Sequence, residues 1–246
     1  MRIALLSDIH GNLQALQSCL DHARANGATR FVFLGDFVGY GADPNGVIDV
    51  VAEYVAQGAN AVRGNHDEAI YGKASYMNEL AMSSIDYAKQ VLTPSQTLFL
   101  RNLPMIVRER TCCFVHASAA SPEKYPYIDS PTAARRCAEA SELPHTFCGH
   151  VHEQRLYFAA QGPQMALFQP TPGIAVPVPA HRRWVALIGS VGQPRDRNPQ
   201  AAYAIFDREK LAITFCRVPY DHHAAAARIR EVGLPGSIAY RVESGI

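Results

Sequence analysis

The sequence predicts an α/β fold built on two sheets. Two observations carry this. Before residue 63, short apolar runs alternate with stretches of helical period; beyond residue 103, short apolar runs dominate. At 246 residues the chain buries a substantial core without covalent staples, and one domain spanning 1–246 is the simplest organisation.

The elements follow in order. Ile3–Leu6 reads as a strand. Residues 12–26 read as a helix, with Leu13, Leu16 and Leu20 on one stripe, Asn12 as cap and Gly27 as stop. Phe31–Leu34 is a second strand. Asp43 fits an N-cap and Pro44 a first helical residue for the helix carrying Val47, Val50, Val51, Tyr54 and Val55, which Gly58 closes. Ala59–Val62 is a third strand, and a βαβαβ order implies parallel strands with right-handed crossovers. Residues 75–91 and 94–102 read as helices. Strands are expected at 104–109, 112–116, 145–148, 154–159, 164–169, 174–178, 184–188, 201–206 and 211–217, with helices near 131–141 and 221–232. Five prolines between Gly162 and Pro179 mark loops and edge strands.

Strand after strand ends in polar groups. The first runs into "LLSDIHGN", the second into "LGDFVGYG", the third into "VRGNHDE". Later, "CCFVHAS" ends in His116 and "TFCGHVHE" in His150 and His152. Open α/β sheets bind ligands at the carboxyl ends of their strands, so these groups are expected on one rim. If strand geometry continues as far as residue 10, Asp8 and His10 point the same way. The alternative for that pair alone is a helix cap beside a loop histidine. Counted together, Asp8, His10, Asp36, Asn65, His116, His150 and His152 exceed what one tetrahedral ion needs. Two ions sharing a carboxylate, ~3.5–4 Å apart, use them well, generating a bridging hydroxide and clamping a phosphoryl oxygen.

The series D-x-H, G-D-x-x-x-x-G, G-N-H-D, a lone His after a strand and G-H-x-H resembles the calcineurin-like metallophosphoesterase superfamily. Here it reads Asp8/His10, Gly35/Asp36/Gly41, Gly64–Asp67, His116 and Gly149/His150/His152. The later "GSVGQPRD" at 189–196 is similar to the bacterial and archaeal YfcE-type phosphodiesterase branch. The resemblance implies a four-layer α/β/β/α sandwich, two mixed sheets packed together with flanking helices. It implies that Asp8, His10 and His152 hold one ion, Asn65, His116 and His150 the second, and that Asp36 bridges them. It also implies that His66 is no ligand but the acid that protonates the leaving oxygen. The mixed N/O set without thiolate suits Mn, Fe, Ni, Co or Zn, with Mn favoured.

Two departures matter. Where animal-type Ser/Thr phosphatases carry Asp-Arg, this chain has Gly39-Tyr40. That removes the carboxylate orienting the catalytic histidine and the arginine gripping phosphate, and it argues against a phosphoprotein substrate. Arg195 and Asn65 are the candidate substrate contacts, Arg195 to phosphate, against a solvated loop arginine. Asp67 is either a cap or a support for the ligand loops. Arg63 reads as structural, Tyr40 as a core or rim residue, His22 as solvated, His145 as packed and His181 as exposed.

The expected function is hydrolysis of a small, nucleotide-like phosphodiester or phosphomonoester, with dinucleoside polyphosphates the close alternative. A non-catalytic scaffold like the retromer subunit of the same superfamily is disfavoured, because His66 and every ligand type are present. A serine hydrolase is disfavoured, because neither Ser7 nor Ser118 lies in G-x-S-x-G. The formal charge of +1 offers little to long nucleic acid or a membrane surface. No run approaches the ~18 apolar residues of a membrane span. The six cysteines form no C-x-x-C pair, and a cytoplasmic protein with reduced thiols is expected. Nothing in the sequence sets an oligomeric state.

Overall fold

A computed structural model describes residues 1–72, 77–160 and 164–246. The strands β1 (Arg2–Leu6), β2 (Ala28–Phe33) and β3 (Asn60–Ala61) pair in parallel, linked by α1 (Leu13–Ala25) and α2 (Pro44–Ala56). The sheet continues antiparallel through β11 (Ala201–Asp207), β12 (Ala212–Val218) and β9 (Ala175–Pro177), in the order β3-β2-β1-β11-β12-β9. The second sheet has the order β4-β5-β6-β10-β7-β8. Its members are β4 (Ile106–Glu109), β5 (Cys112–Val115), β6 (His145–Cys148), β7 (Gln154–Ala159), β8 (Met165–Phe168) and β10 (Trp184–Ile188). The proline-rich stretch does supply edge strands, β8 and β9.

Strict alternation sorts each strand between two cores. Ile3 and Leu5 of β1 meet Phe114, Phe147, Leu156 and Ala186 of the facing sheet. Ala4 and Leu6 turn the other way, onto Leu16, Leu20, Val47 and Ile85 of the helices. In β5, Cys112 and Phe114 enter the core between the sheets. Cys113 and Val115 pack with Ala134 and Cys137 of α6 (Pro131–Ser141). Cys112 and Cys113 are therefore both buried, on opposite faces. The result is the expected α/β/β/α sandwich of two mixed sheets with helices outside.

Several boundaries differ from expectation. α4 (Glu79–Val91) starts at its cap Asn78; the expected start at 75 lies outside the described residues. α5 (Pro94–Asn102) falls where expected. Asp43 does stand before Pro44, but its carboxylate makes no capping bond and instead accepts from Arg228 on α7 (His222–Glu231). His22 is not simply solvated: its Nδ1 meets the Tyr203 hydroxyl at 2.7 Å. Two helices were not anticipated. α3 (Asn65–Ala69) is too short to show a period, and Pro235 and Gly236 disguise the start of α8 (Gly236–Ser244).

Glu109 ties the sheets together. From β4 it accepts a forked pair from Arg30 of β2, at 2.7 and 2.9 Å, and a third bond from Asn60 of β3. The Arg30 fork, aided by Asn60 and Arg208 against partial burial, holds its carboxyl at about 2 rather than the ordinary 4.5. Glu109→Gln is expected to lower stability to urea by about 1 kcal/mol at pH 7, the side chain being partly solvated. A depressed carboxyl stabilises fully above its unfolded value and loses that effect as pH falls through its folded one. The gap between wild type and variant should therefore shrink from pH 4.5 towards 2; urea midpoints across this range check it, and a gap that widens on acidification contradicts it.

Candidate metal centre

The parallel strands β1, β2, β5 and β6 end along one edge, and there the chain leaves strand geometry at once. Asp8 and His10 have φ of 53° and 49°, Asp36 has 56°, and His150 and His152 both have 66°. Asp8 and His10 therefore converge through left-handed backbone and not through a continued strand. Such conformations cost of order 1 kcal/mol for side chains other than Gly and persist only where surroundings enforce them. The enforcement is visible. Asp8 N–H donates to Gly35 O, His10 N–H to Asp36 O, and Gly11 N–H to Phe37 O. Asp67 accepts from the N–H groups of Asp36, Phe37 and Gly64, each at 2.8 Å, locking the loop after β2 to the loop after β3.

Three imidazoles are pinned from behind. His10 Nδ1 faces Val38 O at 3.0 Å, His116 Nδ1 faces Leu34 O at 2.7 Å, and His152 Nδ1 faces Gln193 O at 2.6 Å. A carbonyl only accepts, so each Nδ1 carries the proton and each Nε2 points its other site inward. His10 Nε2 lies 3.2 Å from His152 Nε2, and Asp8 Oδ1 is 3.2 Å from His152 Nε2. On the other side, His116 Nε2 is 3.2 Å from both His150 Nδ1 and Asn65 Oδ1. Asp36 Oδ2 sits between, 3.3 Å from His116 Nε2 and 3.8 Å from His10 Nε2. None of these seven side chains' residues is more than 7% exposed. All the anticipated ligand residues are thus brought together.

Electrostatics fit cations. Burial lowers His10 below its ordinary value, and burial with the neighbouring His116 lowers His150 to about 3. Both are neutral near pH 7, the form that binds metal. Burial would lower His116 too, but the Asp36 carboxylate overrides it and raises the ring to about 9, so without a metal this ring takes a proton. The His10 and His152 Nε2 atoms face each other at 3.2 Å beside carboxylate oxygens, a site that favours a positive charge between them. His150 turns its Nδ1 to the neighbouring space, 3.2 Å from His116 Nε2. Divalent cations would satisfy this donor set. Burial and Asp36 push Asp67 up to about 7, yet both its oxygens are filled by N–H donors, leaving neither free to carry a proton.

A profile of the calcineurin-like phosphoesterase superfamily domain matches residues 1–211. The chain belongs to that superfamily. It is a phosphoric ester hydrolase, and its Asp/His clusters together with the family point to divalent metal ions. It is 31% identical over 249 aligned positions to the uncharacterized protein MJ0912 of Methanocaldococcus jannaschii, covering 99% of this chain and 98% of that one. It also resembles the solved metallophosphoesterase of Sphaerobacter thermophilus, with 32% identity, full coverage of both chains and a TM-score of 0.87. The hypothetical protein PH1004 of Pyrococcus horikoshii OT3 shares the fold, with a TM-score of 0.77 at 20% identity over 100% and 98% of the chains. No described helix is long and apolar enough to cross a membrane.

The departure at Gly39-Tyr40 has a steric basis in this member of the superfamily. Gly39 has φ +85°, and a Cβ there would stand 2.2 Å from His66 Nδ1. The imidazole occupies the space a side chain would need. His66 Nδ1 has no partner among the described residues, so nothing replaces the missing carboxylate. His66 N–H donates to Asp36 Oδ1, and its ring packs edge-on against His10 at 4.8 Å and beside Tyr40. A ring nitrogen of His66 also falls within 4.8 Å of ligand atoms of His10 and Asp36. Arg195 lies half-buried with its guanidinium 5.8 Å from the Tyr40 ring centroid, and its Nε has no partner among the described residues. Arg63, as expected, is structural, bonded to Tyr71 and Arg101.

Sequence reasoning missed other parts. The loop 189–196 closes the site through Ser190, whose hydroxyl donates to Asp8 O and accepts from Gln193 N–H. The signal there was the "GSVGQPRD" motif, read only as a likeness. Tyr127 stacks on His150 at 4.2 Å, which no motif announced. Gly39→Ala should destabilise the protein more than Gly58→Ala, whose φ of +95° is comparable but whose surroundings are open. The Gly58 variant isolates backbone strain of about 1 kcal/mol; urea unfolding of both checks this, and equal losses would remove the steric role of His66.

Proposed function

We propose that this protein is a dinuclear metal-dependent phosphoesterase acting on a small, nucleotide-like phosphodiester or phosphomonoester. The observation that carries the reading is the position of Asp36 Oδ2, shared between the His10 group and the His116 group. One ion would be held by Asp8, His10 and His152, the second by Asn65, His116 and His150, with Asp36 common to both. Bound there, such ions lower the pKa of a water and offset charge on phosphoryl oxygens. Histidine and oxygen donors without thiolate suit Mn, Fe, Ni, Co or Zn, and Mn is the first choice for assay. All six cysteines are free and buried, which supports a reducing, cytoplasmic setting.

The chain's own residues do the rest. His66 stands beside Asp36 with a ring nitrogen within 4.8 Å of the His10 and Asp36 ligand atoms, and on this reading it hands a proton to the departing oxygen. Burial lowers its pKa to about 4, and Asp36 opposes that shift. An anionic phosphoryl group beside the ring opposes it further, so the imidazole takes up its proton when substrate arrives. Arg195 offers a planar fork to a phosphoryl oxygen from above Tyr40. The low exposure of the Asp/His cluster strengthens each of these interactions.

The test uses protein stripped of metal and reloaded with Mn²⁺, assayed on p-nitrophenyl phosphate, bis-p-nitrophenyl phosphate and a dinucleoside tetraphosphate. Turnover of at least one is expected only with metal. On an ester with a poor leaving group, His66→Ala should lose about 10²–10⁴ in kcat while retaining both ions by elemental analysis. Asp36→Ala should lose metal as well as rate. Wild-type speed in His66→Ala removes the acid, and full metal content in Asp36→Ala removes the bridge.

A further inference from the structure

A cavity of about 290 Å³ opens beside the metal centre, between the loop 118–127 and the first turns of α6. Tyr127 stands between it and the cluster. Ser118 lies two residues beyond His116, and Tyr127, which borders the cavity, stacks on the His150 ring at 4.2 Å. Lys124 and Arg136 both line it, and no carboxylate does. Neither cation makes an ion pair among the described residues, whereas Arg24, Arg30 and Arg208 each do. The Ser118 and Ser121 hydroxyls complete the wall. A larger groove lies at the far ends of α1 and α2. That groove, about 560 Å³, contains Arg24 and Arg30, but Asp21 neutralises the first and Glu109 the second. The smaller cavity combines positive charge that makes no ion pair among the described residues with proximity to the cluster.

Size limits the occupant. The volume falls just under the ~300–1,000 Å³ of pockets that enclose a whole small ligand, so the cavity suits one group of a larger molecule. Two cations, two hydroxyls and no acid select an anion, and phosphate oxygens match that donor set. The geometry points to this cavity as a subsite for a second phosphate of the substrate, whose scissile phosphate lies at the Asp/His cluster. The subsite rests on the phosphoesterase reading and narrows it to substrates carrying more than one phosphate. Arg195 serves the scissile group from the Tyr40 side, whereas Lys124 and Arg136 hold the remote one from the Tyr127 side.

Two arms test this. With Mn²⁺-loaded full-length protein, Lys124→Ala/Arg136→Ala is expected to raise KM for a dinucleoside tetraphosphate at least tenfold with little change in kcat. The same variant should leave kcat/KM for p-nitrophenyl phosphate within twofold, and Lys124→Arg should keep the wild-type KM. Equal losses on both substrates, or none on either, overturn the subsite. The second arm needs no turnover: calorimetric binding of inorganic pyrophosphate to the full-length protein without added metal. At least tenfold weaker binding in the double variant supports the subsite, and unchanged binding overturns it. A protein inert toward every ester that still shows the pyrophosphate difference would sink the phosphoesterase reading alone.

Discussion

The structure of the site depends on one constraint: imidazoles held from behind by carbonyl oxygens cannot relax away from each other. His10, His116 and His152 each spend the Nδ1 proton on a main-chain acceptor, at Val38, Leu34 and Gln193. What remains is a set of Nε2 atoms aimed at carboxylate oxygens in a buried interior, each needing a proton or a cation beside it. Burying acceptor against acceptor is unfavourable unless a positive charge stands between them. The fold supports that cost because each carbonyl belongs to a loop that the sheets hold in place. Leu34 and Val38 follow β2, and Gln193 follows β10. Ligand direction and loop path are therefore the same structural fact.

The loops are strained in a coordinated way. Asp8, His10, Asp36, His150 and His152 all take left-handed backbone. Each turn reverses the side chain relative to an extended continuation and drops it over the sheet edge. Asp67 is the hub, gathering three short N–H bonds from two loops while lying fully buried. Glu109 does comparable work far from the site, coupling β4 to β2 and β3 so that the two sheets keep their relative position. Since the Asn65 side of the cluster hangs from one sheet and the His116 and His150 side from the other, that coupling bears on how the two halves meet.

Much of this was legible in the residues. The alternating first half announced parallel strands, because a period of two followed by a period near 3.6 leaves few arrangements. The polar groups at successive strand ends announced a common rim. The likeness to the superfamily added the division of ligands and the sandwich. What stayed hidden was the set of features that depend on backbone conformation or on distant partners. Asp8 and His10 would align by strand geometry only if the strand ran on to residue 10; instead they converge by leaving it. Asp43 occupies a cap position yet turns to Arg228, a choice only tertiary contact decides. The gap at Gly39 looked like the loss of a helper carboxylate; sterically it is room for the His66 ring. Tyr127, Lys124 and Arg136 carry no motif; that Tyr127 stacks on His150 and shares a cavity wall with the two cations is visible only in three dimensions.

The central claim is that Asp36 joins two cation sites. Its most direct measurement is anomalous scattering from crystals of the full-length protein soaked in Mn²⁺. Two peaks are expected, one among Asp8, His10 and His152 and one among Asn65, His116 and His150, with the Asp36 carboxylate between them. A single peak, or a pair of peaks that leaves Asp36 uncoordinated, would contradict it.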